Sequence, residues 1–158
     1  MRYSKEGSMG VNKDQFDIES LINKEINNIK KLMNEIKPYL DDPKMARLKG
    51  SILHDFYNAC ERIFKWIAKD INGDFSPMEH WHKDLLYRMT IEIKDTRPAV
   101  ISEKLAADLN DFLQFRHLFR NVYGFELKSD LLDRLINKFD LTASQFIEEI
   151  NKFLHGFK

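Results

Sequence analysis

The chain has 158 residues, 43% of them hydrophobic and 32% charged, a composition that reads as folded and soluble, not as a disordered chain, and fits one domain. A domain of that length buries about 70% of its extended-chain surface, so a core needs no disulfide or metal. The 25 basic and 25 acidic residues cancel, which removes any global attraction to nucleic acid or to an anionic membrane and leaves room only for local basic patches.

Cys60, the one cysteine, excludes an internal disulfide framework and a thiolate-rich zinc site. No run approaches the roughly 18 apolar residues of a membrane span, and no secretory h-region is present. A cytoplasmic location without membrane contact is the expectation.

Residues 1–13 are polar and read as a flexible N-terminal tail before a single domain over 14–158. From Ile18 to Leu40 the apolar residues Ile18, Leu21, Ile22, Ile26, Ile29, Leu32, Met33, Ile36 and Leu40 recur at spacings of three and four, one face of a helix. Pro38 kinks or ends it. A second helix is predicted from about Lys44 to Asp70, with a wide apolar stripe from Leu48 through Phe56, Tyr57, Cys60 and Phe64 to Ile67, broad enough for a central position. Asn72-Gly73-Asp74 reads as a turn.

A shorter helical pattern follows through Trp81, Leu85, Leu86, Met89 and Ile91. After Arg97-Pro98, a long helix starts near Ser102 and carries Leu105, Leu109, Phe112, Leu113, Phe119 and Val122, with Gly124 breaking it. The C-terminal part shows two short amphipathic patterns, Leu131 to Ile136 and Phe146 to Leu154. Thr142 with Gln145 reads as the capping box of the second. No alternating stretch competes, so the expected fold is an all-α antiparallel helical bundle with additional C-terminal helices.

Phosphate-loop, dinucleotide, HExxH and calcium-loop motifs are all missing. His80 and His82 stand two residues apart, which on a helix sends them in different directions. Cys60, among apolar neighbours, reads as a core filler and not a nucleophile. His80 and His155 read as surface residues, and Trp81 as core or interface.

Two polar stripes resist so plain an account. Arg116, Arg120 and Tyr123 share one helical face, and His117 pairs with Asn121 at i, i+4. Two guanidiniums beside a phenol, an imidazole and an amide suit a phosphodiester, because planar donors engage two oxygens at once. They equally suit salt bridges to Asp111, Glu61 or a partner chain. His54, Asn58 and Glu61 form the second stripe, and Glu61 facing Arg116 or Arg120 would satisfy both. His82 stands open between a satisfied bundle histidine and a site residue.

The segment RHLFRNVYGFEL resembles the HepT-like ribonuclease toxins of the HEPN superfamily, and LHDFYNACERIF, WHKDLLYRM and RPAVISEKL resemble further blocks of that family in the expected order. The family hallmark is an arginine followed by a polar residue, then a histidine four to six positions on, with a tyrosine two beyond it. Arg116, His117 and Tyr123 match; Asn121 stands where the histidine is expected.

The resemblance implies a helical homodimer that cleaves RNA at the interface without metal or cofactor. Arg116 would stabilise charge, with Arg120 gripping RNA and His117, His54, Asn58, Glu61 and His82 in support. It also implies a minimal nucleotidyltransferase antitoxin that transfers AMP to Tyr123.

An amide cannot replace imidazole in proton transfer. Asn121 is therefore an introduced inactivating replacement, the mark of a natural member that binds without cutting, or a sign that His117 supplies the imidazole. The alternatives to a toxin ribonuclease are a non-catalytic partner subunit of a nucleotidyltransferase and a structural helical oligomer.

Overall fold

The computed structural model describes the backbone of residues 2–70, 81–121 and 129–157, and side chains over 18–69, 81–120 and 130–156. The described residues form five α-helices: α1 (Arg2–Glu35), α2 (Ala46–Asp70), α3 (Trp81–Arg88), α4 (Glu103–Asn121) and α5 (Ser129–Phe157). Among the described residues there is no strand, only an isolated bridge between Ile93 and Arg97. The all-α bundle expected from the periodicity is the observed class.

Helix α1 begins at Arg2, so helical backbone occupies the stretch drawn from the sequence as a tail. Its buried face is Ile22, Ile26 and Ile29, with Ile36 just beyond; Leu21 and Leu40, which fit the same stripe, stay exposed. The helix ends before Pro38, which enters a 3-10 turn over Lys37–Tyr39. Asp42 then accepts from the Lys44 amide at 3.0 Å and opens a second 3-10 turn leading into α2.

The broad stripe of α2 has the predicted consequence. This helix packs against α1, α3, α4 and α5, and buries Ile52, Leu53, Phe56, Tyr57, Cys60, Ile63, Phe64 and Ile67. Phe56 meets Phe112 of α4 and Phe139 and Phe146 of α5 edge-on, with ring centroids 5.1–6.4 Å apart. Such edge-to-face pairs add about 0.5–1.5 kcal/mol each beyond the area they bury. Burial pushes the Cys60 thiol well above its ordinary range, in keeping with a filler.

Between α3 and α4 the chain is pinned by a buried arginine. Arg97 donates through Nη1 to the carbonyls of Ile91 and Pro98, both at 2.9 Å, and through Nη2 to that of Arg88 at 3.1 Å. Asp95, at φ 62°, supplies the left-handed turn inside this loop. Ser102 caps α4 by accepting from the Leu105 amide at 3.1 Å. Its own amide and hydroxyl donate to Glu149 of α5 at 2.6 and 3.0 Å.

The C-terminal part corrects the sequence reading: the two short patterns are one helix. Leu132, Leu135, Ile136, Phe139, Ala143, Phe146, Ile150 and Phe153 form an unbroken buried stripe straight through Thr142. Thr142 is itself buried in mid-helix, and Gln145 bonds forward to Glu149 at 2.9 Å. A local capping signal lost to a continuous apolar face. The turn at Asn72-Gly73-Asp74 and the break at Gly124 lie outside the described residues.

Because Phe56 is fully buried between α4 and α5, Phe56→Ala should cost about 3–5 kcal/mol. Chemical denaturation of the two proteins measures it, and a loss below about 1 kcal/mol would contradict this packing.

Candidate functional site

Three helices contribute to one polar cluster. The stripe of α2 places Asn58 and Glu61 toward α4, where Arg116 enters from one side, and the first turn of α3 brings His82 from the other. Arg116 Nη1 donates to Asn58 Oδ1 and to Glu61 Oε1, each at 2.8 Å. The second carboxylate oxygen, Oε2, lies 2.7 Å from His82 Nδ1, and Arg116 Nη2 lies 2.9 Å from that same nitrogen.

Glu61 and Arg116 side chains are only 5% and 6% exposed, whereas His82 is 33% exposed. The ion pair is the buried floor of the site, and the imidazole is its accessible member. Of the salt bridges that the sequence allowed for Arg116, the one to Glu61 is formed. Asp111 instead takes Lys138 at 2.7 Å.

The hydrogen bonds propagate along α2. Asn58 spends its carbonyl oxygen on Arg116, so its amide nitrogen donates to His54 Nδ1, 3.2 Å away. This fixes His54 as the neutral tautomer with hydrogen on Nε2, a buried atom without a partner among the described residues. Burial lowers the His54 pKa below its ordinary value, opposed by Asp55 and reinforced by the positive charges of Arg116 and Arg120. Phe119 covers the His54 ring at 5.5 Å.

Arg120, one turn beyond Arg116, is exposed and makes no ion pair among the described residues. His117 is exposed too, and adjacent positions on a helix diverge by about 100°. It therefore occupies a different side of α4 from buried Arg116. Asn121 is the last residue of α4, its side chain outside the described set, and Tyr123 and His80 lie outside it as well.

Some contributors were not foreseen. The Tyr57 ring lies under the Arg116 guanidinium at 5.2 Å, its buried hydroxyl without a partner among the described residues. Its spacing of four from Glu61 was the available signal. Lys65 sits 4.5 Å above the Trp81 ring, which lies 3.7 Å from that of His82. Arg62 forks onto Glu25 of α1 at 2.8 and 3.0 Å, and these bonds outweigh burial and hold the Glu25 carboxyl below its ordinary value. Among the described residues no group of three or more His, Cys, Asp and Glu is placed to hold a metal ion, and no helix is long and apolar enough to cross a membrane.

A pH dependence follows from His54. Because its pKa is lower in the folded state, the unfolded chain binds more protons below about pH 6.5, and stability falls as pH drops through that value. Glu25 adds a loss of the same sign below about pH 4.5. Denaturation midpoints between pH 7.5 and pH 5 should decline for the native sequence and flatten for His54→Gln; equal slopes would sink the assignment.

Comparison with curated proteins and with solved structures finds no match. The family model described as HepT-like protein matches residues 49–157, from the site-bearing helix α2 to the end of α5. With its polar cluster built entirely inside that match, the chain belongs to the HepT-like protein family.

Proposed function

We propose that this chain is a toxin-type ribonuclease whose site is the face formed by α2, α3 and the end of α4. The observation that carries the reading is the convergence of Arg116, Glu61, Asn58 and His82 from three helices, with Arg120 exposed beside them. Burying a charged cluster is expensive unless it is fully paired, and here the pairing leaves His82 and Arg120 toward the surface.

The chemistry proposed is internal transesterification of RNA. A 2′-hydroxyl attacks the adjacent phosphorus, the bond to the 5′-oxygen breaks, and the ends are a 2′,3′-cyclic phosphate and a 5′-hydroxyl. Positive charge from the exposed Arg120 offsets the charge gathering on the phosphate oxygens. A homodimer would bring two such faces together.

Control by a nucleotidyltransferase antitoxin belongs to the same proposal. The Tyr123 phenol oxygen would attack the α-phosphorus of ATP and expel pyrophosphate. The resulting phosphodiester adds bulk and negative charge two residues beyond Asn121, competing with RNA for Arg120. Intact mass and peptide mapping after reaction with the partner and ATP should place AMP on Tyr123; an unmodified tyrosine in a verified active reaction would refute this part.

A second reading, a partner subunit that binds without cutting, draws on Asn121 and on how completely Glu61 and Asn58 occupy Arg116 Nη1. Arg120 separates RNA binding from mere partner binding. Arg120→Ala should fold normally and weaken binding to single-stranded RNA. Its plot of log affinity against log salt should also be shallower by about 0.7, the loss of one phosphate contact. An unchanged affinity and slope would favour the partner-subunit reading.

A further inference from the structure

We propose that His82, oriented by Glu61, is the proton acceptor of this chain, a role that rests on the ribonuclease reading and replaces the imidazole missing at Asn121. Nδ1 of His82 lies within bonding distance of both a carboxylate oxygen and a guanidinium nitrogen, at 2.7 and 2.9 Å. A ring nitrogen can donate to the first or accept from the second, not both. A carboxylate can only accept and a guanidinium can only donate, so the two contacts compete for Nδ1, and the closer approach of Oε2 assigns the hydrogen to Nδ1.

The tautomer leaves Nε2 with its lone pair free to receive a proton. No described residue bonds to Nε2, and the side chain is one-third exposed while its two charged neighbours are covered. Trp81 lies against the ring at 3.7 Å between centroids, with a 32° tilt, which restricts its rotation. A carboxylate that fixes the tautomer and a neighbour that fixes the plane are what an imidazole base needs from its surroundings.

The other described histidines lack this arrangement. His54 carries its hydrogen on an enclosed Nε2 and has Nδ1 occupied by Asn58. His117 stands on another side of α4 from Arg116, and His155 bonds the Asn151 carbonyl near the chain end.

In the proposed step the 2′-oxygen gives its proton to His82 Nε2 as it bonds to phosphorus. The phosphorus–5′-oxygen bond breaks, the departing oxygen takes a proton from water, and the imidazolium returns its proton to solvent. Arg116 and Glu61 act here as positioning residues.

The test compares the native sequence, His82→Gln, Glu61→Gln and Asn121→His on one labelled RNA, with circular dichroism and melting to confirm the fold. Ring-nitrogen NMR reads the His82 tautomer independently of activity. The proposal expects the native sequence to cut and leave cyclic phosphate ends, and His82→Gln to lose about 100-fold or more. It also expects the residual rate to lose its fall at low pH, and His82 to carry hydrogen on Nδ1.

Glu61→Gln should move that hydrogen to Nε2; should this buried substitution fail to fold, His82→Gln and the native spectrum still decide. Equal cutting by His82→Gln would overturn the role of His82 and leave the ribonuclease standing. Cutting by Asn121→His alone would overturn that role in the same way. If neither the native sequence nor Asn121→His cuts while folded, the ribonuclease reading falls and takes this one with it. A native Nε2–H tautomer would refute the geometry whatever the activity.

Discussion

The buried pair of Glu61 and Arg116 is the constraint on which the polar face depends. Two opposite charges at 2.8 Å, both almost wholly covered, must be satisfied together. Removing one partner of such a pair costs about 3–5 kcal/mol, because the other is left charged in a poor solvent. The pair therefore ties α4 to α2 at a fixed register. Asn58 takes the second hydrogen of Nη1, His82 takes the second carboxylate oxygen, and Tyr57 supports the guanidinium from below. One ion pair thus determines an amide orientation and, through it, the tautomer of His54.

Around this pair the hydrophobic core holds the bundle together. The edge-on phenylalanines of α2, α4 and α5 keep the helices at close range, and apolar burial at about 25 cal/mol per Å² dominates what keeps them there. The cluster sits at the margin of that core. Its floor is dry enough for charges to interact strongly, while His82 still reaches the surface.

Much of this was legible in the sequence because helical spacing carries it. The stripe of α2, the start of α4 at Ser102, and the polar line from His54 to Glu61 follow from residue periodicity alone. So does the chemical match of Glu61 with Arg116. What periodicity does not carry is the angle at which α3 meets α2, and the contact of His82 with Glu61 exists only through that docking. The single span of α5 was missed for another reason: Thr142 and Gln145 imitate a helix start, while Phe139 and Ala143 bridge the supposed gap only once the whole stripe is counted.

Helix α4 is gripped at both ends. Glu149 holds the backbone amide and hydroxyl of Ser102, and Glu61 holds the guanidinium of Arg116. Turning the helix by a single residue, about 100°, would break the grip at Arg116, and sliding it along its axis would strain the one at Ser102. The rotational phase of the face bearing Arg116 and Arg120 is consequently locked, like a shaft keyed at each bearing. A carboxylate near the far terminus of the chain thus sets the height along the bundle of a site it never touches.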